Sequence, residues 1–313
     1  VAHSILEPMA LAIRSPLGTV VHTGDWKLDP TPVIGPVTDA ERFAAIGDEG
    51  VLALVCDSTN AMRPGRSPSE SEVARELKSV IAEATGRVFF TTFASNIARI
   101  RSIAEAAAAN DRQLVLDKVV AIVTGSQGEP RAALARIASD DHKFIGLAPG
   151  DTVVFSARPI PGNEKAINGI INQLAELGVD VVTDRERLVH VSGHPRRDEL
   201  AEMYRWTRPK IAIPVHGEAM HLAAHAAFAR AHGVREVVEI EDGAMVRLAP
   251  GPAEEIDDVA AGRLYKDGTI IGDLDAVGVP ERKRLAFAGH VAVSVVLDAK
   301  GSLASDPEIG LVG

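Results

Sequence analysis

Short β-rich runs alternate along this chain with stretches of helical periodicity, and six of the runs end in a polar cluster. Runs at 51–57 (VLALVCD), 87–93 (RVFFTTF), 118–125 (KVVAIVTG), 151–157 (DTVVFSA), 180–184, 189–193 (VHVSG) and 211–217 (IAIPVHG) have the composition of strands. Between them, apolar residues recur at helical spacing: Val73, Leu77, Val80 and Ile81; Ile97, Ile100, Ile103 and Ala107; Ile167, Ile170, Ile171, Leu174 and Leu177, with Gly178 placed to stop the last. A hairpin is predicted where 10–15 (ALAIRS) meets 18–25 (GTVVHTGD) through Pro16-Leu17-Gly18. The expected class is therefore α/β, with a sheet that is not purely parallel.

A chain of 313 residues has room for about two domains. The turn-rich stretch 60–69 (NAMRPGRSPS) reads as one boundary, a second falls near 185, and 250–262 (PGPAEEIDDVAAG) reads as a linker. The passage from Asn110 to Lys118 runs from helix into strand with little loop chemistry and is flagged as a missing segment. The single cysteine, Cys56, excludes an internal disulfide and a cysteine-based zinc cluster, and fits a reducing compartment. No run of 18 apolar residues is present, and Val1-Ala2-His3-Ser4 does not open a signal peptide. A net charge of −10 weighs against a broad basic face for nucleic acid, although a narrow channel or bound metal can supply positive potential locally.

The polar clusters read HTGD (22–25), DSTN (57–60), FASN (93–96), TGSQGE (124–129), HVSGH (190–194) and PVHGE (214–218). Loops after strands are where α/β proteins build sites, because the sheet fixes them rigidly. His3, Asp25, His194 and His216 are metal-ligand types in such places, suited to zinc or manganese. Spacing alone does not choose between ligation and ordinary histidines, and Asp25 also suits a turn. His22, His142, His221, His225 and His232 read as surface or packing residues. The turn from His190 through Val191, Ser192 and Gly193 to His194 opens a helix near 196–207, which suits either a phosphate or a plain cap. Ser95 and Asn96 carry the same ambiguity before the helix at 97–109. The basic pairs Arg63/Arg66 and Arg196/Arg197 read as solvated surface. Nothing matches a P-loop or a dinucleotide glycine fingerprint.

The strings VAHSI (1–5), GTVVHTGDWKLDPTPV (18–33), CDSTNA (56–61), TTFASNIARI (91–100), TGSQGEPRAALARIA (124–138), IPGNEKAINGII (160–171), HVSGHPRRDEL (190–200) and IPVHGE (213–218) together resemble bacterial ribonuclease J. They run in family order over about residues 1–262. The resemblance implies a metallo-β-lactamase αββα sandwich with an inserted α/β β-CASP domain. Residues 1–61 would end the first lactamase-like half, 62–186 form the insertion, 187–262 return to the lactamase-like domain, and 263–313 begin a C-terminal domain. It implies a metal-dependent ribonuclease of RNA maturation and decay in the cytoplasm, a 5′→3′ exonuclease preferring 5′-monophosphate ends with endonuclease activity. Two divalent ions are implied, zinc first, with manganese or magnesium as alternatives. His3 and His216 match metal ligands, Asp25 the carboxylate bridging both ions and acting in catalysis, and Asp57 the acidic motif beside them. His194 matches the catalytic phosphate-holding histidine. His190, Val191, Ser192 and Gly193 match its substrate-binding motif, and Ser95 and Asn96 match RNA contacts. The implied partners are single-stranded, 5′-monophosphorylated RNA, further copies in a homodimer or homotetramer, and an RNA-degradation complex, with no membrane.

Three departures accompany the resemblance. The family's H-x-H-x-D-H motif is absent; it is expected upstream of the position matching His3, so the chain is expected to be part of a longer protein and inactive alone. Ala98 stands where many members carry histidine. Several tens of residues are expected to be missing near 110–118, and the C-terminus is expected to stop early. Two rival readings follow: an inactive RNA-binding or scaffold subunit, and a lactamase-fold hydrolase of a small ester, against which the insertion counts.

Overall fold

The computed structural model describes all residues except 113–118, 289 and 313. In chain order the first compact unit, 1–240 with 246–256, contains β1 (Leu11–Ser15), β2 (Gly18–His22), α1 (Ala40–Glu49), β3 (Val51–Asp57), α2 (Glu70–Glu83), β4 (Val88–Thr91) and α3 (Ile97–Ala108). It continues through β5 (Val120–Val123), α4 (Ala133–Ala138), β6 (Thr152–Phe155), α5 (Glu164–Glu176) and β7 (Asp180–Val182). It closes with α6 (Arg197–Thr207), β8 (Ile211–Val215), α7 (Ala219–Ala231) and β9 (Glu236–Val237). The flagged junction near 110–118 falls mostly outside the described residues.

Two sheets result. The first has the order β1-β2-β3-β8-β9, antiparallel only at the β1–β2 hairpin and parallel elsewhere. The second, β5-β4-β6-β7, is wholly parallel and lies in sequence between β3 and β8. Its central strands are buried on both faces, which is why they read as unbroken apolar runs. Phe90 and Val154 face the cluster built with Val73, Leu77, Ile81 and Ile103 of α2 and α3. Their neighbours Phe89 and Val153 face the opposite cluster, with Leu134, Ile137, Ile167 and Leu174 of α4 and α5. The first sheet packs Val21, Leu54 and Cys56 against Phe43, Leu200, Met203 and Phe228 of α1, α6 and α7. Full burial of each such side chain contributes roughly 1.5–3 kcal/mol.

The run 189–193, expected as a strand, joins no ladder. Val189 and Val191 are buried as a strand's residues would be, but side chains rather than a neighbouring strand satisfy the Val189 carbonyl. It accepts from Arg99 Nη1 at 2.7 Å and from Ser156 Oγ at 2.6 Å. Arg99 is itself fully buried and paired with Glu70 at 2.7 Å, tying α3 to the start of α2. A second buried carboxylate, Glu199 of α6, accepts the backbone N–H groups of Leu28, Ser67 and Arg196, each at 2.8 Å.

The stretch 250–262 is not plain linker. It holds β11 (Glu254–Asp258), which pairs with β10 (Ala244–Arg247) in a two-stranded ribbon. Every residue of β11 is exposed, so its four acidic side chains sit in water and hide the strand from a hydrophobicity reading. The second unit, 241–245 with 257–313, contains β12 (Tyr265–Asp267) paired with β13 (Ile270–Gly272), then α8 (Val279–Ala288), and β14 (His290–Ser294) paired with β15 (Glu308–Val312). No described helix is long and apolar enough to cross a membrane.

Candidate metal centre

Parallel pairing places the ends of β3 and β8 side by side, with Asp57 in register with Val215. Asp57 therefore meets His216, one residue beyond β8, and Asp25 arrives from the loop after β2. His216 holds a left-handed backbone (φ 58°), a strained conformation that histidine tolerates better than most residues, with its half-exposed ring toward Asp25. His194 comes from the strip before α6, and His3 from the segment before β1.

These five side chains converge. Asp25, Asp57, His194 and His216 each offer a ligand atom, all within 4.8 Å of one another. His3 Nε2 lies 3.9 Å from Asp25 Oδ2, and its ring centroid is 5.0 Å from that of His194. The hydrogen bonds fix the tautomers. His3 Nδ1 donates to the Gly193 carbonyl at 2.8 Å, which leaves its Nε2 lone pair facing Asp25. Thr59 Oγ1 donates to the His216 carbonyl at 3.1 Å and accepts from His216 Nδ1 at 2.8 Å, so His216 also turns an open Nε2 toward Asp25, 3.6 Å from Oδ1. Each oxygen of one carboxylate thus faces a different imidazole. That donor set fits divalent metal, with Asp25 between.

Electrostatics treat the two imidazoles differently. Burial lowers the proton affinity of His3 despite the Gly193 carbonyl, keeping the ring neutral. Burial would raise the Asp57 carboxyl, but His194, bonded through Nδ1 at 2.6 Å, and His216 hold it well below the usual carboxylate range. The Asp57 carboxylate in turn raises the proton affinity of His216.

The approach of Gly193 to His3 admits no side chain: a Cβ there would lie 2.5 Å from the imidazole. Ser192 Oγ accepts from Asn60 Nδ2 at 2.9 Å. His190 and Val191 lie outside the cluster. Val191 packs under the second sheet, and burial, then the charges of Arg99 and Arg158, push the His190 pKa down to about 3. Ser95 is exposed, whereas Asn96 is buried and its side chain accepts from Arg99 N at 2.9 Å, capping α3. Asn96→Ala is therefore expected to cost about 1 kcal/mol in urea unfolding, and Asn96→Gly a few tenths; an alanine variant as stable as wild type would leave the cap without a role.

Sequence reasoning missed Thr59 and Asn60, both inside the strand-end string DSTN. Asn60 Nδ2 and Ser67 Oγ each donate to the His194 carbonyl at 3.0 Å. His225 is a fully buried packing residue with a polar task. It bridges Ser58 Oγ (2.8 Å) and Tyr204 OH (2.9 Å) beneath the Asp57 turn, and burial pushes its pKa down to about 4. The helix-start reading of the phosphate site also changes, because the first N–H groups of α6 are occupied. Arg197 N donates to the Arg63 carbonyl at 3.0 Å and Asp198 N to the Gly65 carbonyl at 3.2 Å.

Comparison with known proteins places the chain in a family. Residues 113–174 match the family model "Ribonuclease J, beta-CASP domain", and 178–239 match "Zn-dependent metallo-hydrolase RNA specificity domain". A protein of unknown function from Enterococcus faecalis shares the fold at a TM-score of 0.51 and 16% identity, over 82% of this chain and 62% of its own. Fold and matched segments together define the metallo-β-lactamase class with a β-CASP insertion. Ribonuclease J of Sinorhizobium meliloti is 54% identical over 100% of this chain and 62% of its own length. Those of Corynebacterium glutamicum and Thermus thermophilus are each 38% identical, over 100% and 94% of this chain and 49% and 58% of theirs. The chain belongs to the bacterial ribonuclease J family and spans about half to three-fifths of the length of these relatives. The Sinorhizobium alignment takes 348 columns for 313 residues, so that relative carries about 35 residues for which this chain has none.

Proposed function

We propose that this chain carries part of the catalytic centre of a cytoplasmic ribonuclease that hydrolyses RNA phosphodiesters in RNA maturation and decay. It would act as a 5′→3′ exonuclease preferring 5′-monophosphorylated ends, with endonuclease activity, on single-stranded RNA, as a homodimer or homotetramer able to join an RNA-degradation complex. The observation that carries this reading is the facing of His3 and His216 Nε2 toward the two oxygens of Asp25, in a chain of this family.

His3 and His216 would be ligands and Asp25 the bridge, with zinc the first choice of ion and manganese or magnesium the alternatives. Bound ions supply Lewis-acid activation of water and charge neutralisation at phosphorus. The protein's own residues orient the reaction. Asp57 fixes His194 through Nδ1, which leaves Nε2 to face the phosphate and stabilise the oxygen on which negative charge builds. Ser192 and Gly193, with Ser95 and Asn96, would receive the terminal phosphate.

The full-length gene product is expected to cleave 5′-monophosphorylated RNA from its 5′ end faster than 5′-hydroxyl RNA, and to lose the activity to a chelator. The 313-residue chain alone is expected to be inactive, because each ion takes roughly three protein ligands and Asp25, His3 and His216 cannot complete two such sets. Metal-loaded full-length protein without ribonuclease activity would favour the scaffold reading, and robust cleavage by the isolated chain would refute the ligand count.

A further inference from the structure

The strip 189–194 that delivers His194 is held from three sides, and each holding segment carries an arginine. The first is the loop after β3. Asn60 and Ser67 both donate to the His194 carbonyl at 3.0 Å, so Arg63 rides on a loop pinned at both ends to one atom. The second is the start of α6, where the bonds from Arg197 N and Asp198 N to the Arg63 and Gly65 carbonyls set Arg196 against that same loop. The third is the end of β6. Ser156 Oγ donates to the Val189 carbonyl at 2.6 Å, and Arg158 follows two residues later.

Among the described residues, Arg63 and Arg196 have no carboxylate within 4 Å, and Arg158 has only Asp184, 3.7 Å away. The Nε of Arg196 is buried without a hydrogen-bond partner. Arg63 is exposed and the other two are half-buried, so all three are reachable. The three segments converge on one strip by these bonds, and in keeping with that, burial and then the charges of Arg63 and Arg196, against the opposing pull of Asp184, lower the proton affinity of Arg158. Like charges carried by neighbouring segments repel, and an anion between them removes the penalty. The helix N–H groups nearby are already engaged, so side chains must make the contact. In a chain of net charge −10, such a cluster is also where a polyanion would find positive potential.

We propose that Arg63, Arg158 and Arg196 form a phosphate clamp that grips the RNA backbone as it approaches His194. The clamp deepens the ribonuclease reading and rests on it. Its test is the salt dependence of RNA binding by the metal-free full-length gene product, read by fluorescence anisotropy on short single-stranded RNAs with 5′-phosphate or 5′-hydroxyl ends. Each Arg→Gln variant is expected to shrink the slope of log affinity against log salt by about 0.7, and the triple variant by about 2, with the Arg→Lys variants near wild type. KM should rise while kcat changes less than about twofold. Loss on both RNAs assigns the clamp to internal phosphates, and loss confined to the phosphorylated RNA assigns it to the terminal one. Single variants are read beside the triple, so a triple that fails to fold still leaves three slopes. RNA binding with unchanged slopes overturns the clamp alone. Wild-type protein that binds no RNA overturns the ribonuclease reading itself.

Discussion

His194→Ala in the full-length gene product is expected to keep nearly its normal metal content yet lose about a hundredfold or more in single-turnover cleavage of 5′-monophosphorylated RNA. His216→Ala should lose metal and activity together. A donor that acts on charge developing in the transition state contributes roughly 2.7–4 kcal/mol to the barrier alone, whereas removing a ligand empties part of the coordination shell. The geometry makes this comparison demanding, because His194, Asp25, Asp57 and His216 all stand within one 4.8 Å cluster. His194 differs in its tether: its Nδ1 is committed to Asp57 at 2.6 Å, while His216 is turned by Thr59 so that Nε2 faces Asp25. Metal lost from the His194 variant and retained by the His216 variant would reverse the two assignments.

Arg99→Ala is expected to destabilise the protein by about 3–5 kcal/mol in urea unfolding, enough to threaten folding altogether. The guanidinium is fully buried and serves Glu70, Ser156 and the Val189 carbonyl at once. Its loss strands a carboxylate, one of whose oxygens already has no partner. Replacing both ends with apolar residues, as in Glu70→Leu with Arg99→Met, should recover at least half of that loss, since no charge is then left unpaired. A single-variant cost below about 1 kcal/mol would overturn this account of the buried pair.

The elements that were legible in the sequence are those whose causes are local. The β1–β2 hairpin, with Ser15 paired to Gly18, follows from turn chemistry at Pro16-Leu17-Gly18, and the end of α5 from Gly178 (φ 71°). The gathering of His3, Asp25, Asp57, His194 and His216 was suggested by strand-end strings and by family resemblance, because parallel strands bring their carboxyl ends to one edge. What stayed hidden depends on distant partners. VHVSG at 189–193 alternates like a strand, but the groups that take its carbonyl lie at Ser156 and Arg99. Asn60 looks like a turn former until its partners at 192 and 194 are known. β11 is concealed by its own charge, and the task of His225 by the burial of Ser58 and Tyr204 around it.

The nesting of one sheet inside the sequence of the other governs how the protein can be made. Ala53 pairs with Ile211, 158 positions later. At a synthesis rate of roughly 5–20 residues per second, β3 waits about 8–30 s for that neighbour to be translated. Every strand of the second sheet lies within 88–182, so it can close during the wait. Meanwhile β3 presents an open apolar edge, the kind of surface on which nascent chains aggregate. Of the five converging side chains, His3, Asp25 and Asp57 leave the ribosome first and then stand apart. Their gathering is thus deferred until β8 is laid down, and a chain stalled before residue 216 lacks the imidazole that faces Asp25 from that strand.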